Sequence, residues 1–170
     1  MLRDAAAGDD ATATPPGPLF SYRDAGEPLS GPGAATATGF RTSDAGRIAP
    51  EIEWSWDAAT AAWVRAQDGT PHVDDAGRQV HAANVILRYT PYGDSGVRDS
   101  GGATVPEAAA VGEGEAWVLS GGRAQPGRWH KPSAGAVTTY TDMAGGPLRL
   151  APGPTWVEVL PPGSGDIVRQ

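Results

Sequence analysis

The chain has no cysteine, and a single lysine, Lys131, stands against twelve arginines. Without cysteine there is no disulfide framework and no thiolate chemistry. The arginines are scattered and the net charge is −7. A nucleic-acid backbone needs clustered cations for counterion release, so nucleic acid is excluded as a partner class. Long apolar runs are also missing, so no segment is expected to insert in a membrane as a helix. Met1–Pro16 has neither the basic start nor the apolar centre of a signal peptide. The nucleophile elbow, the phosphate loop and the paired-histidine zinc helix are all absent as motifs.

What is present is turn chemistry and aromatic mass. Glycine (24) and proline (16) together make nearly a quarter of the chain and follow no collagen-like period, which points to short strands joined by tight turns. Much of the apolar fraction is alanine, so the core must rest on six Trp, four Tyr, two Phe and a few aliphatic runs. At 170 residues one domain is expected. Residues 1–17 are small, acidic and proline-terminated, and read as a linker. Residues 18–162 form the domain, and 163–170 a tail.

Within the domain, Ile52, Trp54 and Trp56 alternate with polar neighbours at the period of a half-buried strand. Ala61–Gln67 returns as its hairpin partner and ends on the turn pair Asp68-Gly69. Asn84–Tyr89 holds a Val-Ile-Leu run, the mark of a strand buried on both faces at the centre of a sheet. Pro91–Pro106, rich in Gly, Asp and Ser, reads as a long surface loop or excursion. Glu115–Ser120 and Arg123–Lys131 flank Gly121-Gly122 as a second hairpin, with Pro126 confining the returning arm to an edge or bulge. Val137–Thr141, Leu148–Leu150 and Thr155–Leu160 complete the strands, the last two joined by a Pro-Gly turn and closing the sheet. The predicted fold is mainly β: antiparallel hairpins in a twisted sheet or sandwich with little helix.

Four blocks in this order carry a family likeness: Trp63–Asp75, Asn84–Leu87, Gly127–Lys131, and Tyr140–Asp142 through Gly145–Leu150 to Gly153–Pro161. They resemble the C-terminal domain of YerB-like bacterial lipoproteins (DUF3048), a domain of unknown function, over roughly Leu19 to Pro161. The resemblance implies that this β-rich part joins a larger layered α/β assembly. It also implies an N-terminal domain of the same protein as partner, and an extracytoplasmic place through a lipoprotein signal on the full-length protein. It supplies no catalytic residues.

Two groups of polar residues are candidate sites. His72 and Asp74 share one short loop, where an imidazole and a carboxylate could serve acid/base work; equally, Asp74 could cap backbone amides in a turn. Trp129 and Lys131 fall on one face of an extended strand, an aromatic and a cation able to grip an anionic or sugar-like ligand, with Tyr140 and Asp142 on the same surface. The plainer alternative is a core Trp beside a solvated Lys. No metal site and no cofactor are expected. The functional expectation is a non-catalytic module that binds a cell-envelope component or a partner protein. One alternative is part of an envelope hydrolase or transferase, which requires His72 and Asp74, or Lys131 and Asp142, to converge in a concave site. Another is a scaffold for the N-terminal half.

Overall fold

The computed structural model describes residues 18–42 and 50–169, so the expected linker over 1–17 lies outside the described residues. Among these residues there are sixteen strands and no helix. In chain order they are β1 (Ser21–Tyr22), β2 (Ala35–Thr36), β3 (Gly39–Arg41), β4 (Ile52–Asp57), β5 (Ala62–Gln67), β6 (Thr70–Pro71), β7 (His81–Ala82) and β8 (Asn84–Tyr89). Then come β9 (Tyr92–Arg98), β10 (Thr104–Ala108), β11 (Gly112–Ser120), β12 (Arg123–Lys131), β13 (Thr139–Asp142), β14 (Arg149–Leu150), β15 (Thr155–Leu160) and β16 (Asp166–Val168). The protein is mainly β, as the sequence predicts.

Two six-stranded sheets pack face to face. Sheet I runs β13-β12-β11-β8-β15, with β2 alongside β12; sheet II runs β16-β3-β4-β5-β6, with β7 alongside β5. Side chains alternate across each strand, so one face of each sheet meets the other. Phe40, Trp54 and Trp63 of sheet II bury themselves against Val85, Leu87, Leu119 and Leu160 of sheet I. The tandem Trp pattern of β4 thus serves the core, with Trp56 opposite Trp63 on β5 and their rings 5.3 Å apart.

The hairpins form where turn chemistry marks them. Gly121 and Gly122 both have positive φ and close β11 onto β12. Asp68 and Gly69, also at positive φ, turn β5 into β6, as a two-residue hairpin turn requires. β8 is the central buried strand, antiparallel to β11 and parallel to β15. Contrary to expectation, Pro126 does not confine β12 to an edge or bulge: β12 is an interior strand in unbroken register with β11. Pro126 is tolerated because it falls between the stretches that pair with β2 (residues 123–124) and β13 (residues 127–130).

Three further expectations are corrected. Pro91–Pro106 is an excursion rather than an open loop: β9 and β10 pair as an antiparallel ribbon whose residues are mostly exposed. With neither face buried, the ribbon carries no period-two apolar signal. Leu148–Leu150 and Thr155–Leu160 do not pair with each other; β14 runs parallel to β1 and β15 parallel to β8, so the hairpins are joined by two parallel pairings. Residues 163–170 are not a bare tail, since β16 pairs with β3.

Sheet I is apolar on its second face too. There Ile86 and Val118 are covered by Leu29 from the segment after β1 and by Leu148 and Leu150 around β14, with Phe20 and Tyr140 packed against them. This cover is tied down through a buried chain of hydrogen bonds. Arg23 donates to Ser120 Oγ at 2.7 Å and Ser120 to Asn84 Oδ1 at 2.7 Å. Asn84 in turn exchanges bonds with both backbone groups of Ala151. Asn84 therefore satisfies backbone at the start of the central strand.

Candidate functional site

The two predicted groups sit on different sheets. Trp129, Lys131, Tyr140 and Asp142 belong to β12 and β13 of sheet I, whereas His72 and Asp74 follow β6 of sheet II. Asp74 is a turn residue: its Oδ1 accepts the amides of Ala76 and Arg78, and its Oδ2 takes the Arg78 side chain at 2.9 Å. Those bonds to the charged form hold its carboxyl below the ordinary aspartate range, the Arg78 amide contributing most.

His72 has another partner. Arg65 Nη1 lies 2.6 Å from His72 Nδ1, and because a guanidinium only donates, the imidazole accepts there. Arg65 also donates from Nε to Glu158 Oε1 at 2.9 Å, and Trp54 Nε1 donates to the same oxygen at 3.0 Å. Trp156 lies beside Arg65, His72 and Trp54, its ring 5.4 Å from the Arg65 guanidinium carbon, edge-on to His72 and 5.7 Å from the Trp54 ring. This knot of Arg65, Glu158, Trp54, Trp156 and His72 pins β5 to β15 between the sheets. Sequence reading found only His72, because Arg65 and Glu158 are 93 positions apart.

Trp129 is 1% exposed and lies in the core of the outer face, so it offers no platform to a ligand. Its indole donates to the Tyr89 carbonyl at 2.6 Å, and its ring is covered by Arg88, with the guanidinium carbon 3.8 Å from the centroid. Arg88, not Lys131, takes the cation's place over the aromatic ring. Lys131 is half-buried at the end of β12, opposite Gly112. Asp142 pairs with Gly127, four positions back along β12 from Lys131, about 13 Å at strand spacing. Asp142 Oδ1 accepts the amides of Ala144 and Gly146 and shapes the turn after β13. Neither predicted acid/base pair converges. Among the described residues no group of three or more His, Cys, Asp or Glu side chains could hold a metal ion.

Of the predicted residues, Tyr140 lines one cavity and Asp142 a second. A groove of about 450 Å³ opens on the outer face of sheet I, lined by Leu19, Phe20, Ile86, Val137, Tyr140 and Leu148 among others. The Phe20 and Tyr140 rings lie 6.1 Å apart across it. Burial raises the Tyr140 phenol above its ordinary range, opposed by the Arg88 charge. The groove's walls are mostly apolar, and Leu19 and Val137 are 60% and 45% exposed at its rim.

A family profile described as "Protein of unknown function (DUF3048) C-terminal domain" matches residues 44–157. The chain belongs to this DUF3048 C-terminal domain family. The match takes in β4 to β14, the start of β15 and all of the Arg65 knot except Glu158, and leaves out β1 to β3 and β16. Among solved structures, the DUF3048 domain described here is similar to the YerB protein from Bacillus subtilis, with TM-score 0.66 and 16% sequence identity over 87% of this chain. It spans 46% of the YerB chain, about half of that protein. No curated protein matches the sequence.

Proposed function

We propose that this DUF3048 C-terminal domain is a non-catalytic binding module, and that the outer-face groove of sheet I seats the portion of the family protein that precedes the domain. The observation that carries this reading is an apolar sheet face that its own chain covers incompletely. Leu19 and Val137 stand exposed at the groove, and Val157 and Val159, whose register neighbours Ile86 and Arg88 place them on the same face, are 37% and 38% exposed. Apolar side chains left exposed on one sheet face around an apolar groove are the mark of a docking surface.

The choice of occupant rests on where the chain enters. Pro18 and Leu19 themselves line the groove, so polypeptide attached ahead of them begins at its rim and acts at high effective concentration. The YerB chain, about twice as long, has room for such a domain. An extracytoplasmic, lipoprotein-anchored place for the full-length protein belongs to the same reading, on the strength of the YerB-like sequence blocks.

Calorimetric titration of the chain with the separately produced preceding half tests this. Saturable binding is expected, weakened by about tenfold or more in Leu19→Asp or Val137→Asp, since a charge would be buried at the contact. Lys131→Ala, away from the groove, is expected to bind like wild type. No heat of binding between two folded halves would overturn the reading, and sedimentation with isolated cell walls under the same conditions would redirect it to an envelope component.

A further inference from the structure

Away from the apolar groove, a pocket of about 310 Å³ opens where β8 and β11 of sheet I meet β16 at the edge of sheet II. Tyr89, Glu115, Trp117, Asp166 and Arg169 carry its chemistry, and none of them lines the groove.

The walls are set by the backbone. Ser164 turns the chain back by donating to the Pro161 carbonyl from both its amide, at 3.2 Å, and its hydroxyl, at 2.7 Å. Gly165, at φ +138°, then lies flush on the core, where a Cβ would run into the Phe40 ring and the Arg41 carbonyl. β16 is thereby paired with β3, with Asp166 opposite Arg41 and Ile167 packed on the core. On the facing wall Glu115 and Trp117 are two residues apart and share one side of β11. The Trp117 indole donates to Glu115 Oε1 at 2.6 Å and holds that carboxylate in place.

Tyr89 is the informative residue. It is 8% exposed, its side chain belongs to the core between the sheets, and among the described residues its hydroxyl makes no hydrogen bond. A tyrosine buried to this extent ordinarily finds a partner for its hydroxyl. Burial raises its pKa and the Glu115 and Asp166 charges add to that, so the hydroxyl lies toward the pocket's two carboxylates.

Acceptors therefore outnumber donors. Glu115 and Asp166 are acceptors only, the phenol oxygen is a further one, and the Trp117 indole is the N–H bonded among them. Arg169 does not make up the difference. Its guanidinium carbon lies 5.8 Å from the centroid of the Trp117 ring, and among the described residues it forms no ion pair with either carboxylate. The pocket thus lacks what a guanidinium offers, a planar cation with several N–H donors, while a guanidinium of its own chain already rests over its aromatic wall. An anion would face two carboxylates, and a sugar would contend with Arg169 for the ring.

We propose that this pocket receives an arginine side chain of another polypeptide, with Arg169 as its internal stand-in. The incoming guanidinium takes the place of Arg169 over Trp117 and donates to Glu115, Asp166 and the Tyr89 hydroxyl.

The test is an NMR titration of the full chain, reading the Trp117 indole N–H resonance, assigned by its disappearance in Trp117→Phe. The amide of acetylated arginine, its neutral citrulline isostere and a methyl glucoside are added in turn to about 50 mM at fixed ionic strength, the range suited to ligands this small. The arginine amide should shift the resonance to saturation, and the citrulline amide, lacking the charge, should bind at least about tenfold more weakly. Arg169→Ala, at an exposed position, removes the stand-in and should tighten the arginine amide by about fivefold. Glu115→Gln, whose amide oxygen still accepts the indole N–H, should weaken it by about tenfold. No saturable shift with the arginine amide in wild type and in Arg169→Ala overturns the proposal. Citrulline amide or glucoside binding as tightly as the arginine amide would show a site for neutral ligands, and equal affinity in wild type and Arg169→Ala would show that Arg169 is no stand-in. Either result also overturns it, and the wild-type series decides the ligand class even if a variant fails to fold.

Discussion

Arg65 and Glu158 meet at 2.9 Å with both side chains at most 10% exposed, one on each sheet of the sandwich. A buried ion pair gives little net stability against a well-packed apolar pair, but removing one member strands the other charge. Arg65→Met or Glu158→Leu alone should therefore cost about 3–5 kcal/mol, while the double variant should recover most of that loss. Urea unfolding of the four proteins gives the coupling. Additive losses would mean that the pair is not coupled.

The same logic separates Trp129 from Lys131. Trp129 lies under Arg88 with its indole bonded to the Tyr89 carbonyl, so Trp129→Ala should destabilise by about 3–5 kcal/mol. Lys131→Ala, at a half-exposed strand end, should stay within about 0.5 kcal/mol of wild type. Thermal unfolding of the two variants distinguishes a core aromatic from a ligand platform, on which both substitutions would be mild.

Gly127 fixes the distance between β12 and β13. A Cβ there would run into the Thr141 carbonyl and the Leu148 side chain. Backbone cannot yield as a flexible side chain can, so Gly127→Ala should cost about 1–3 kcal/mol and loosen the Tyr140 side of the groove. Denaturant midpoints and amide exchange at β13 report the two effects.

Alkaline pH should destabilise the fold through Tyr89. Burial, helped by the nearby Glu115 and Asp166 charges, pushes its phenol up to about 12. The folded state favours the neutral phenol, whereas the unfolded chain releases the proton near pH 10. The contribution is thus complete below about pH 10 and is lost as the pH rises through 12. Absorbance at the tyrosinate band, followed together with circular dichroism, should show late ionisation coupled to unfolding; ionisation of all tyrosines near pH 10 with the fold intact would contradict it.

The sequence was legible where local rules and burial agreed. The Trp alternation of β4, the Val-Ile-Leu run of β8 and the Gly121-Gly122 turn each announce their element because one face or both faces are buried. The β9–β10 ribbon was hidden because it is exposed on both sides. The parallel placement of β15 was hidden because nothing in Thr155–Leu160 states its direction relative to β8. At the candidate sites, Tyr140 was legible as a surface aromatic, but the pairings that define the surroundings were not. Arg23 finds Ser120 over 97 positions and Arg65 finds Glu158 over 93, and such contacts exist only once the sheets are assembled. Trp129-His130-Lys131 looked like a site because sequence cannot show that Arg88 already covers the ring.

The most direct measurement of the central claim is hydroxyl-radical footprinting at Leu19 and Val137, with Val97 on the β9–β10 ribbon as internal reference. Leu19, Val137 and Val97 are 60%, 45% and 58% exposed in the chain by itself. Joined to the half that precedes it in the family, the chain should show Leu19 and Val137 protected while Val97 is labelled as before. Unchanged labelling at all three would contradict the account and leave the outer-face groove without the partner proposed for it.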